Sequence, residues 1–106
     1  MKIGVDIVEI ERIGKNMSES TEFVNKILNS EETLPWNLQS LCGKIAAKEA
    51  IIKTGFILVG EWKKISIFSS ASGNPQVFDE NRNLVSKLHV SISHTSTIAI
   101  AVAVHE

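Results

Sequence analysis

The sequence predicts an α+β fold, a small antiparallel sheet packed on one long central helix. Three observations lead there. The stretch from Asn37 to Thr54 contains no proline and a single glycine, Gly43, and is largely apolar. Both ends of the chain alternate with a period of two, which is strand patterning. With 106 residues, 43% of them hydrophobic and 22% charged, the chain has material for one domain, 1–106, and a core that needs no disulfide or structural metal.

Taken in order, Lys2 to Val8 sets Ile3, Val5 and Ile7 on one face and Gly4, Asp6 and Val8 on the other, so a first strand is expected. Glu9 to Arg12 turns polar, and Gly14 suggests a break. Phe23, Val24, Ile27 and Leu28 form a helical stripe within Ser20 to Asn29. Ser30 is placed to cap a short second helix bearing Glu31 and Glu32, limited by Pro35. The central helix follows, ending at Gly55, a residue suited to a left-handed cap. Lys63 to Ser69 and Gln76 to Phe78 read as a hairpin around the turn cluster Ser70 to Pro75. After a second turn, Asp79 to Asn83, the stretch Leu84 to Leu88 suggests one or two helical turns. The chain closes with strands His89 to Ser93 and Ile98 to Val104. In the last strand Ile98, Ile100, Val102 and Val104 are expected to fill the core. Ala99, Ala101 and Ala103 suit close approach by a helix or another subunit.

Composition narrows the function. A formal charge of −1 argues against a general nucleic-acid binder. No apolar run approaches the roughly 20 residues a membrane helix needs. The acidic Asp6, Glu9 and Glu11 are unlike the apolar centre of a signal peptide. A single cysteine, Cys42, forms no intrachain bridge. A cytoplasmic protein is the expectation, with no membrane or nucleic-acid partner. Rossmann fingerprint, P-loop and serine-hydrolase elbow are all absent.

The residues suited to chemistry are few. Glu49 and Lys53 stand four apart, so they share one helical face. An exposed pair of this kind contributes only about 0.3–0.5 kcal/mol. Here Ile45, Ala46, Ala47, Ala50, Ile51 and Ile52 leave little solvated surface, so Lys48, Glu49 and Lys53 are expected to line a cleft. Asp6, inside an apolar strand, is costly to bury unless paired or coordinated. A divalent cation shared with Glu49 explains both carboxylates, because Mg²⁺ on a phosphorylated substrate needs only one or two of them. His94 lies at a strand end, where ligands are commonly met, although taken alone it reads better as a hydrogen-bonded turn histidine.

These pieces resemble a known family. Gly4-Val5-Asp6-Ile7-Val8-Glu9-Ile10-Glu11-Arg12-Ile13 resembles the N-terminal motif of bacterial holo-acyl-carrier-protein synthases. Ala46-Ala47-Lys48-Glu49-Ala50 with Lys53 resembles their second motif, and Ser72-Gly73-Asn74-Pro75 sits where they have a Gly-Lys-Pro turn. Ile27-Leu28-Asn29-Ser30-Glu31-Glu32 and His89-Val90-Ser91-Ile92-Ser93-His94-Thr95 are similar to the family's intermediate and closing segments. Together they span essentially the whole chain, in order.

The resemblance implies the 4'-phosphopantetheinyl transferase-like fold, a homotrimer with coenzyme A bound between subunits, and Mg²⁺-dependent transfer of 4'-phosphopantetheine to a serine of apo-acyl carrier protein with release of 3',5'-ADP. It maps Asp6 and Glu49 onto the magnesium ligands, and Asp6, Glu49 and Lys53 onto the catalytic set. Lys44, Lys48, Lys53, Gly73, Pro75, His94 and Thr95 fall on coenzyme A contacts, with His94 supplied by the adjoining subunit. Arg12 falls where the family meets the acidic carrier protein. Glu49 or a water beside it is the candidate acceptor of the serine proton. The competing reading is a non-catalytic homologue that binds a carrier protein or nucleotide. An unrelated α+β domain would leave Asp6 and Glu49 far apart.

Overall fold

The computed structural model describes residues 1–106. Strand β1 (Lys2–Glu9) leads into helix α1 (Ile10–Glu19), then α2 (Glu22–Ile27) and a short 3-10 turn, Ser30–Thr33. The central helix α3 spans Leu38–Thr54, and a second 3-10 turn, Trp62–Lys64, precedes β2 (Ile65–Ser69) and β3 (Pro75–Asp79). Strands β4 (Leu88–His94) and β5 (Ile98–His105) finish the chain. No helix is long and apolar enough to cross a membrane.

Two antiparallel sheets result: one ordered β1-β5-β4, the other the hairpin β2-β3. The larger sheet lies directly on α3, and small residues permit that contact. Gly4, Asp6 and Val8 pair with Ala103, Ala101 and Ala99, which are wholly or almost wholly buried. On the helix side Ala46, Ala47 and Ala50 are likewise buried. A Cβ at Gly4 would stand 1.9 Å from the Ala50 carbonyl oxygen, and one at Gly43 would stand 2.8 Å from Ile92 Cγ2. These two glycines therefore set how closely the helix approaches the sheet. Asn37 caps the start of α3 by accepting from the Ser40 N–H, and Gly55, at φ 83°, ends it in the left-handed region.

Three expectations are corrected. Glu9 to Gly14 does not break the chain: α1 starts at Ile10 and continues through Gly14. Ile10, Ile13 and Met17, at spacings of three and four, give it an apolar face against the core. Leu84 to Leu88 is not helical, since Leu84 bridges to Phe78 and the Val85 N–H donates to the Val77 carbonyl. Finally, the large residues of β5 do not fill the core of this chain. They share the outer face with β1, in the pairs Ile3–Val104, Val5–Val102 and Ile7–Ile100, leaving Ile3 64% and Ile7 59% exposed. The alanine face turns inward because only small side chains fit beneath a helix this close.

Candidate active site

Asp6 is the inward-facing residue of β1 next after Gly4, so it emerges where the strand passes α3. Glu49 is the neighbour of Ala50, the residue whose carbonyl faces Gly4. Strand and helix thus bring the two carboxylates to a common cleft of about 380 Å³, also lined by Glu9, Arg12, Phe23 and Ile45. The separation that an unrelated domain would show is absent. Lys53, one helical turn beyond Glu49, donates to the Val5 carbonyl at 2.8 Å and to Asp6 Oδ1 at 3.3 Å. Asp6 is largely covered, while the Lys53 ammonium end reaches solvent.

Burial raises the protonation range of Glu49 above that of an ordinary carboxylate, and the charge of Asp6 adds to the rise. A hydrogen bond from Trp62 Nε1 to Glu49 Oε1, at 3.2 Å, and the Lys53 charge oppose it. Sequence pattern gives no sign of Trp62. It lies thirteen positions from Glu49 on a non-periodic turn, and nothing local signals the contact.

Of the residues matched to coenzyme A, Lys48 is corrected. It has no solvent exposure, donating instead to Glu32 and, at 2.9 Å, to the Ile27 carbonyl. Glu32, also buried, accepts from the Asn29 and Ile67 N–H groups, each at 2.8 Å. The pair locks α3 to the Ser30–Thr33 turn and β2, and neither residue lines the cleft. Lys44 is half-buried, donating to the Glu32 carbonyl at 2.8 Å and lying 5.7 Å from the Phe68 ring centre.

Gly73, Pro75, His94 and Thr95 do not line the cleft of their own chain. Gly73 takes φ 92° in the hairpin turn, and Pro75 opens β3. Asn74 spends its side-chain oxygen on the Ser70 and Ser72 hydroxyls, both at 2.6 Å. His94 is exposed at the end of β4, two strands and roughly 10 Å across the sheet from β1. The Thr95 hydroxyl oxygen accepts from the Ile98 N–H in the following turn. A larger hollow of about 640 Å³ lies beside β2 and β3 and contains none of the predicted site residues. Within it Arg82 pairs with Glu31 at 2.8 Å, and Asn29 Nδ2 donates to Ser66 Oγ at 2.8 Å.

The family model described as 4'-phosphopantetheinyl transferase superfamily matches residues 2–103. The chain belongs to this superfamily. Among curated relatives of the transferase, the holo-[acyl-carrier-protein] synthase of Chlorobium chlorochromatii is 39% identical, with the whole of both chains covered. Among solved structures, holo-[acyl-carrier-protein] synthase of Helicobacter pylori in complex with coenzyme A superposes with a TM-score of 0.81. It is 30% identical, covering 98% of this chain and 99% of that one. The Bacillus anthracis holo-(acyl-carrier-protein) synthase gives the same TM-score at 28% identity, over 99% and 95% of the two chains. The resemblance read from the motifs, and the α+β transferase fold it implies, are borne out.

Proposed function

We propose that the chain transfers the 4'-phosphopantetheine arm of coenzyme A to a serine of an apo-acyl carrier protein, releasing 3',5'-ADP. The observation that carries this reading is the meeting of Asp6 and Glu49 in one cleft, with Lys53 beside them. The names of the relatives and the coenzyme A in the Helicobacter pylori complex support the choice of substrates.

The two carboxylates fit Mg²⁺. No third histidine, cysteine or acid joins them to make a closed cage. That suits an ion which takes one or two protein carboxylates and leaves its other positions to phosphate and water. Burial, and after it the Asp6 charge, disfavours the anionic form of Glu49, and a bound cation would offset both. Bound there, the ion would supply charge stabilisation at the diphosphate of coenzyme A and at the leaving group.

The chain's own groups do the rest. Lys53, anchored on the Val5 carbonyl, presents a point charge to the phosphates. Glu49, with its protonation range raised, is suited to take the serine hydroxyl proton, directly or through a water. The serine oxygen bonds to the β-phosphorus as the bond to 3',5'-ADP breaks. Arg12, exposed on α1 at the cleft margin, meets the acidic carrier protein.

The assembly is read as a homotrimer. The outer sheet face, with Ile3, Val5 and Ile7 exposed at 64, 47 and 59%, is an apolar surface suited to copies of the same chain. His94, Thr95, Gly73 and Pro75, away from their own cleft, would then reach the coenzyme A of a neighbour.

Loading of an apo-acyl carrier protein with labelled coenzyme A tests the function. Transfer that requires Mg²⁺ and disappears in Asp6→Ala and Glu49→Ala is expected. Binding of coenzyme A and carrier protein without transfer would instead establish a non-catalytic homologue.

A further inference from the structure

We infer that Trp62 is a positioning residue of this site, presenting Glu49 to the divalent cation; the inference rests on the cation reading above. Its indole Nε1 is the only hydrogen-bond donor to the Glu49 carboxylate, and it engages Oε1 alone, at 3.2 Å. Oε2 is left without a partner, so one oxygen is held and the other is free to coordinate. An indole N–H donates and never accepts, carries no charge and does not titrate. It therefore fixes the carboxylate without competing with a cation for it. Asp6 differs in this respect, being held at 3.3 Å by the Lys53 ammonium, a charge that opposes a nearby metal.

The ring is itself held from two sides. Trp62 opens the 3-10 turn before β2 and packs, half-buried, against the hydrophobic core. From α2, the Lys26 ammonium lies 5.8 Å from its ring centre, within cation–π range. The indole thus connects the β2 margin and α2 to the one acid that α3 contributes to the cleft. Outer partners that orient metal-binding side chains commonly change affinity by about 10–100-fold when removed. A single hydrogen bond from an uncharged donor, long at 3.2 Å, places the expected effect at the lower end, about tenfold.

The test is Mn²⁺ binding to the full chain, without coenzyme A, followed by electron paramagnetic resonance of the free ion. The expected result is an Asp6-dependent site whose Kd weakens about tenfold in Trp62→Phe, with Mn²⁺-free melting little changed. A merely structural indole would lower the melting temperature and leave the Kd alone. Trp36, the other tryptophan, is 61% exposed, so Trp36→Phe leaves Trp62 as sole emitter. In that protein Mg²⁺ is expected to change the emission, and the change should vanish with Glu49→Ala. This second measurement needs no substitution at Trp62. Asp6-dependent Mn²⁺ binding with an unchanged Kd in Trp62→Phe overturns the positioning role alone. Absence of Asp6-dependent binding in the parent overturns the cation reading and this inference together.

Discussion

Replacing Lys48 by methionine should cost stability and leave coenzyme A recognition intact. Lys48 and Glu32 are fully enclosed, and the carboxylate also accepts two backbone N–H groups, from Asn29 and Ile67. Burial lowers the proton affinity of Lys48, and the Glu32 charge restores part of it, so each ion depends on the other. Removing one member of a buried pair strands the other, at a cost of about 3–5 kcal/mol. A chain of this length has a total stability of roughly 5–16 kcal/mol, so the loss is a large fraction of it. At about 4–8 °C per kcal/mol, the melting midpoint should fall by at least roughly 12 °C. The assay is thermal unfolding by circular dichroism at fixed protein concentration, for Lys48→Met, Glu32→Gln and the double variant. The double variant should lose less than the sum of the singles, giving a coupling of about 1–3 kcal/mol. Below its melting temperature, Lys48→Met should keep the KM for coenzyme A within about twofold, because Lys48 is fully buried and does not line the cleft. A midpoint within about 3 °C of the parent, or a tenfold rise in KM at unchanged stability, would refute the reasoning.

Three further outcomes follow from the same geometry. Gly4→Ala places a Cβ 1.9 Å from the Ala50 carbonyl oxygen, a backbone atom that cannot rotate away, so destabilisation at or above the usual ~1–3 kcal/mol of overpacking is expected by urea titration. Glu49 has a protonation range raised by folding, so its favourable contribution is complete below the ordinary carboxylate range and is lost as pH climbs through the raised one. In Mg²⁺-free buffer Glu49→Gln should therefore melt above the parent at neutral pH and converge with it in acid. If the proposed trimer forms through the outer sheet face, Ile7→Asp or Ile100→Asp, which puts a charge there, should shift sedimentation from trimer to monomer and abolish the proposed transfer.

The elements with clean periodicity are legible in the sequence: β1, α3, the β2-β3 hairpin and the closing β4-β5 pair all appear where the pattern puts them. Asp6 and Glu49 are legible too, because a carboxylate in an apolar strand and another on an apolar helix each call for a partner. Helix α1 is obscured because Gly14 and a majority of polar residues hide the Ile10, Ile13, Met17 spacing. The facing of β5 comes out inverted for a different reason. Alternation divides a strand into two faces and says nothing about which one points inward, and side-chain size misleads when a helix lies very close. The burial of Lys48 is hidden because its partner, Glu32, comes from a separate turn sixteen residues earlier, and only the fold makes them neighbours. The contact of Trp62 with Glu49 is hidden for the same reason.

The closeness of that helix is also what builds the site. Alternate residues of a strand face the same way, about 6.7 Å apart, and Glu49 and Lys53 are one turn apart on α3, a rise of about 6 Å. Once Gly4 is seated on the Ala50 carbonyl, the next inward residue, Asp6, must emerge beside the helical face that holds Glu49 and Lys53. A bulkier contact would lift the strand and carry Asp6 away from that face, with no change to any charged group. The buried alanines Ala99, Ala101 and Ala103 extend the same close seating across the sheet toward β4. The small residues of β1 and β5 therefore bear on the proposed chemistry as much as on the core, since they set how far Asp6 stands from the helical face that would share a cation with it.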